Sequence, residues 1–216
     1  HGQYMNVEDM SSMFEGCTNL TSVALFDTSS VFVMNNMFFN CRSITTLPDF
    51  DTTSCWNFAQ MFYRCSSLLA CPNISTTYRS QYTTLTVRRM FELCTSLASV
   101  PLLDLNGATD TELMFSACSS LQSVPLFDLS TVTSAQSMFS GCTALTEIPA
   151  FNLSAVTNAN AMFHNCSSVT TGTLAAYQQL SASPVATHNV NTFGGAGPAS
   201  DLAQIPATWG GTMREW

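Results

Sequence analysis

The chain has 216 residues, of which 46% are hydrophobic and only 9% charged, against a usual charged share of about a quarter. That much apolar material excludes a largely disordered chain. A net charge of −8 with no Lys and six Arg excludes a general phosphate-backbone binder with a broad basic face, and no apolar run approaches the roughly 18 residues needed to cross a bilayer. No nucleic acid and no membrane insertion are therefore expected.

In chain order, Val7 occupies the slot that Val132 and Val156 hold ahead of later Met-Phe pairs. Residues 1–12 accordingly read as the tail of an earlier repeat, and the chain is expected to begin inside an array. Met-Phe pairs then stand at 13/14, 37/38, 61/62, 90/91, 114/115, 138/139 and 162/163, so the spacings are 24, 24, 29, 24, 24 and 24. Each Met is followed four residues later by Cys17, Cys41, Cys65, Cys94, Cys118, Cys142 or Cys166, and then by Leu20, Ile44, Leu68, Leu97, Leu121, Leu145 or Val169. Val23, Leu47, Cys71, Val100, Val124 or Ile148 comes next, with Pro directly after five of them. Residues 13–171 form a seven-repeat array, whose single change of length is five extra residues within "STTYRSQYT", 75–83. After Thr171 the pattern dissolves, and 172–216 reads as a C-terminal cap with a last strand near 202–206 in "LAQIPATW".

Within one repeat, "SAQSMFSGC" places Ala135, Met138, Phe139 and Cys142 at i, i+3, i+4 and i+7. That spacing predicts a short amphipathic helix, and the Gly or Asn often preceding Cys suits its end. "LQSV" and "LTEI" predict strands of three or four residues, closed by a proline that cannot donate to a ladder. The expected fold is an α/β solenoid with one short parallel strand and one short helix per 24-residue repeat and an irregular C-terminal cap. Met138, Phe139, Cys142, Leu145 and Ile148 typify its core.

A strand, a turn and a helix per two dozen residues is the leucine-rich-repeat plan. The phrases "FDTSSVFVMNNMFFNCRSITTLPDFDTTS" and "LFDLSTVTSAQSMFSGCTALTEIP" resemble the BspA-like leucine-rich repeats of bacterial surface antigens and lipoproteins, also found in phage tail-fibre and other virion proteins. The resemblance covers about residues 5 to 171. It implies adhesion and partner binding, with no catalytic residues to carry over. The prolines after the strand and the absence of Lys depart from the commoner surface-antigen form, and the terminal "AQIPATWGG" resembles endings of phage-borne copies.

Seven of the nine cysteines share one slot, 24 or more residues apart, and read as small buried hydrophobes rather than as disulfides or zinc ligands. With only His1, His164 and His188 present, no base stands in a motif that would orient a nucleophile. No metal, cofactor or catalytic residue is expected. Asp27, Asp51, Asp104, Asp128 and Asn152 form a column with two readings, backbone-capping turns or paired cation ligands. The turn role is favoured because Ser75 and Asn152 interrupt the charge without interrupting the repeat. Sequons at Asn19, Asn73, Asn152 and Asn165 fall in slots already rich in Asn, Ser and Thr.

Two binding regions are candidates. One is the outward strand column, Ser22, Thr46, Ala70, Ser99, Ser123, Glu147 and Thr171, small and polar enough for a flat partner or a glycan, or else a solvated ladder. The other is the lengthened loop and its surroundings, Arg64, Tyr78, Arg79, Tyr82, Arg88 and Arg89, since Arg and Tyr dominate interface hot spots. The alternative there is pairing of the arginines with Glu92 and Glu112. The function expected is a non-enzymatic recognition module, extracellular on a virion surface as part of a tail fibre or receptor-binding protein. Its partners would be a host-surface protein or glycan and neighbouring virion or surface proteins. The alternatives are a bacterial cell-surface adhesin or lipoprotein segment and a structural cementing protein.

Overall fold

The computed structural model describes residues 7–75, 84–183 and 188–213. Each 24-residue unit forms one coil that hydrogen-bonds to the next along its backbone. At the junction between the coils of Phe115 and Phe139, the amides of Thr111, Leu113, Phe115 and Ala117 donate to the carbonyls of Ser134, Gln136, Met138 and Ser140 at 2.7–2.9 Å. The same four steps recur where Met34, Asn36, Phe38 and Asn40 meet Asn57, Ala59, Met61 and Tyr63. Isolated parallel bridges mark this contact as Asp9↔Val33, Val33↔Asn57, Asn57↔Thr86, Asp110↔Ser134, Ser134↔Asn158 and Asn158↔His188.

Over the Met-Phe segment the structure departs from the helix that the spacing predicts. The chain makes a run of tight turns there, with Met138 N donating to Ala135 O, Ser140 N to Ser137 O and Cys142 N to Phe139 O. Left-handed φ values fall in two columns, one residue before Met and three after it: Ser12 and Gly16, Asn36 and Asn40, Gln60 and Arg64, Arg89 and Leu93, Leu113 and Ala117, Ser137 and Gly141, Ala161 and Asn165. Two such residues four apart cannot sit in a right-handed helix. They instead alternate the amides, one bonding within its own turn and the next bonding to the following coil. An α-helix would keep every amide internal and leave neighbouring coils joined by side chains alone. Periodicity did not separate the two, because both put i, i+3, i+4 and i+7 on one side.

The interior is built from columns. Phe14, Phe38, Phe62, Phe91, Phe115, Phe139, Phe163 and Phe193 stack nearly parallel, with consecutive ring centroids 5.2–5.9 Å apart. Met138, Phe139, Cys142 and Leu145 are fully buried and Ile148 is nearly so. The Cys column does more than fill space. The thiols of Cys41, Cys65, Cys94, Cys118, Cys142 and Cys166 each donate to the Phe carbonyl of the preceding coil at 3.0–3.1 Å, so the slot takes a group that is both small and a weak donor. All nine cysteines are free.

The stacking runs past Thr171. Gly172, at φ 92, turns the chain out of its coil, and a Cβ there would lie 2.1 Å from the Ile148 carbonyl oxygen. Helix α1 follows (Thr173–Ala182). The chain then re-enters the stack with a further coil, in which Ala159, Ala161, Phe163 and Asn165 donate to His188, Val190, Thr192 and Gly194. Thr192, Phe193 and Ala196 occupy the Met, Phe and Cys slots and are buried. In place of a last strand near 202–206, α2 (Ala199–Leu202) precedes a three-residue 3-10 turn, Ala207–Trp209. That turn closes the end, with Asn191 N donating to Thr208 O and Phe193 N to Trp209 O. Pro206, lacking an amide, supplies one parallel bridge, to Met213, because Gly210 at φ 88 folds the chain back immediately.

Candidate functional site

The strand-face column is exposed along its length: Ser22, Thr46, Ala70, Ser99, Ser123, Glu147 and Thr171 all face solvent. It is a sparse ladder, with bridges Ala70↔Ser99 and Glu147↔Thr171. Amides join the coils beside it, Gln122 N to Ala98 O, Thr146 N to Gln122 O and Thr170 N to Thr146 O, with Ile148 N to Thr171 O added at the last of these junctions. The neighbouring Thr146 and Thr170 hydroxyls bond back to the same carbonyls, Gln122 O and Thr146 O, at 3.2 Å. Glu147 and Thr171 also border a notch of about 170 Å³ formed with Pro149, Ala150 and the α1 residues Ala175 and Gln179.

Three residues beyond this column lies a feature that sequence reasoning missed. Leu102 and Leu126 hold the same slot of adjacent coils and are 66% and 60% exposed. Phe127 N donates to Pro125 O and Phe151 N to Pro149 O at 2.9 and 2.7 Å. These three-residue turns put Leu126 and Ala150 at an apex, between the buried Val124 and Phe127 in one coil and the buried Ile148 and Phe151 in the next. The Pro-Leu steps "PLL" and "PLF" were the available signal. Apolar residues flank them on both sides, so composition does not mark the middle one as exposed.

The arginine region resolves into pairs. Arg88 Nη2 lies 2.6 Å from Glu112 Oε1 and its Nε 4.0 Å from Asp110, while Arg89 lies 3.7 Å from Glu92 and 4.0 Å from Glu112. Burial holds the Glu92 carboxyl above its ordinary pKa, with Arg89 opposing it and Glu112 adding to it. Such half-exposed pairs are each worth about 0–1 kcal/mol. Arg88 and Arg89 also line a shallow depression with Ala59 and Gln60. Tyr78, Arg79 and Tyr82 lie outside the described residues. Arg64 is exposed, at φ 58, and borders a different depression with Arg42, Ser66, Leu93 and Thr95.

The Asp column caps turns. Asp27, Asp51, Asp104 and Asp128 accept the amides of Ser29, Thr53, Asn106 and Ser130 at 2.9–3.0 Å, and Asn152 accepts that of Ser154 at 3.2 Å. Bonds from the Ser29, Thr53 and Ser130 hydroxyls, followed by those amides, hold the Asp27, Asp51 and Asp128 carboxyls below their ordinary range. A second set that the sequence did not flag, Asp9, Asn57, Asp110 and Asn158, caps the Met-Phe turns in the same way. Burial pushes the core thiols the other way, Cys41 up to about 11 and Cys55 and Cys166 to about 12. At neutral pH they are inert as nucleophiles. Among the described residues no helix is long and apolar enough to cross a membrane.

A family model described as "Mycoplasma protein of unknown function, DUF285" matches residues 3–99 and, in a second tandem hit, 85–193. No curated protein matches the chain.

Proposed function

The chain belongs to the DUF285 repeat family, and from that premise we propose that it is a BspA-like leucine-rich-repeat solenoid acting as a non-enzymatic recognition module at an extracellular surface. One observation carries this reading. From coil to coil the Met, Phe and Cys slots stay nearly constant, while the outward slots vary: Leu25, Asp49, Asn73, Leu102, Leu126 and Ala150 in one column, Ser22 to Thr171 in the other. Constant interiors with varied faces suit a scaffold that presents a partner surface, and Leu102 with Leu126 gives that surface an apolar part beside the exposed polar column of Ser99 and Ser123, an apolar and polar combination found at interfaces. The partner is a host-surface protein or glycan.

The wording of the repeats and the Lys-free surface support display on a virion, in a tail fibre or receptor-binding protein. The family's printed description, which names Mycoplasma proteins, favours a second placement on a bacterial cell surface. Sequencing upstream separates them, by a fibre-attachment domain or a lipobox. Function is tested by adsorption of the labelled chain to a panel of bacterial and animal cells. Saturable adsorption, lost in the Leu102→Asp/Leu126→Asp double variant, is expected. No saturable adsorption to any cell, or hydrolysis of a polysaccharide or peptide that depends on residues of the array, overturns the proposal.

A further inference from the structure

The depression bordered by Arg42, Arg64, Ser66, Leu93 and Thr95 measures about 190 Å³, and it gathers two arginines that make no ion pair among the described residues. Arg88 and Arg89, by contrast, are held by Glu92, Asp110 and Glu112. Arg42 is oriented: its Nε donates to Asn40 Oδ1 at 2.7 Å, which leaves its terminal NH₂ groups available as a fork. Ser66 ends a ladder in which each hydroxyl donates to the backbone carbonyl of the preceding coil, the Ser66 carbonyl being the last acceptor. Thr143 donates to Ser119 O, Ser119 to Thr95 O and Thr95 to Ser66 O, at 3.2–3.3 Å, while the Ser66 hydroxyl itself makes no hydrogen bond among the described residues.

These groups stand in register columns. Arg42, Ser66 and Thr95 each follow the Cys of their coil, in a slot that is Ser or Thr after every other Cys of the column, and Arg64 occupies a slot that is otherwise Gly, Asn, Leu or Ala. Neither arginine is needed by the repeat. In a chain of net charge −8, two guanidiniums that border one depression without an ion pair among the described residues repel each other, and a shared anion relieves that cost through charge-assisted hydrogen bonds.

We propose that this depression is an oxyanion site that takes the carboxylate or sulfate of one acidic sugar residue, held by Arg42 and Arg64 with Ser66 donating a third bond. The volume is below that of pockets enclosing a whole small ligand, roughly 300 Å³ upward. It therefore fits one anionic residue of a glycan whose remainder stays in solvent. An acidic peptide would call for a row of cations, which this surface lacks among the described residues.

The test is calorimetric titration of the full chain with a trigalacturonate, a sulfated galactose trisaccharide, a neutral galactose trisaccharide and a tri-glutamate peptide. Arg64→Asn and Arg42→Thr are the variants, each placing a residue that the same column already carries at Asn40 and Thr95. At least one acidic trisaccharide should bind, the neutral one should not, and each variant should weaken binding tenfold or more with an unchanged thermal midpoint. The uronate and sulfate arms identify which oxyanion is preferred. The site is refuted if no acidic trisaccharide binds, if the variants bind equally well, or if the peptide binds more tightly than either sugar. Cell adsorption without trisaccharide binding sinks this site alone, and trisaccharide binding without adsorption to any cell sinks surface recognition alone.

Discussion

Met13, Phe14 and Cys17 stand in the same slots as Met138, Phe139 and Cys142, yet Met13 is 53% exposed while Met138 is wholly buried. Among the described residues Phe14 has one stacked neighbour in the column, Phe38 at 5.2 Å, whereas Phe139 lies between Phe115 and Phe163 at 5.5 and 5.6 Å. Identical residues thus acquire different environments solely from what lies above and below them. The energy of this fold resides in the junctions between coils, as in other quasi-one-dimensional arrays.

The sharpest way to break that comparison is to truncate the ring in both places. Phe139→Ala should cost about 3–5 kcal/mol by urea unfolding, and Phe14→Ala less than half as much. Equal losses would show that the coils are stable singly. Next in size is Gly172→Ala, which forces a Cβ onto the Ile148 carbonyl at a left-handed φ. It should cost about 2–4 kcal/mol and detach α1, read as a drop in helical circular dichroism while the array persists.

A third effect is alkaline. Thiols whose pKa is raised by burial bind their protons more tightly folded than unfolded, so they contribute no pH dependence below the ordinary thiol range, and stability falls as pH rises from there toward their folded values. For Cys41 and Cys166 those lie at about 11 and about 12. Each buried thiol adds up to about 1.4 kcal/mol per pH unit to that decline, and Cys142→Ala should make the slope between pH 9 and 11 shallower. Thiol labelling at neutral pH gives the matching contrast, since the exposed Cys17 should react in the native chain and Cys142 only on unfolding. The smallest effect is acid. The Asp128 carboxyl, lowered by its Ser130 bonds, stabilises the fold above the ordinary carboxylate range and loses that contribution as pH falls. Asp128→Ala should therefore remove a minor part of the acid dependence of melting.

The repeat itself was legible because every coil solves the same packing problem, and the solution is written as Met-Phe, Cys and Leu at fixed offsets. The turns were not, because their apolar spacing coincides with that of a helix. The distinguishing cue, Gly or Asn three residues after Met, is diluted by Arg64, Leu93 and Ala117 in the same conformation. The coil of Thr192, Phe193 and Ala196 escaped notice because α1 lengthens the preceding spacing to 30 residues, Met162 to Thr192, and because two of its three signature residues are replaced. At the surface, the ion-paired arginines were foreseeable from charge alone. The exposed leucines and the exposed guanidiniums of Arg42 and Arg64 depend on which side of a three-residue turn or register column faces water, a fact held in backbone geometry and not in composition.

The direction of the inter-coil bonds has an electrostatic consequence. In the Met-Phe segment the amides point from each coil to the next, as Phe115 N does to Met138 O. Outside that segment many donors point back, Thr133 N to Thr109 O and Thr146 N to Gln122 O, the Cys142 thiol to Phe115 O, and the Thr133, Thr143 and Thr146 hydroxyls to Thr109, Ser119 and Gln122, while Ile148 N and the Thr28 and Thr52 hydroxyls point forward. Bond dipoles that would add along a helix here oppose one another across each coil. Hydroxyls and thiols thus act as partial counterweights, offsetting some of the polarisation that the forward amides add with each coil.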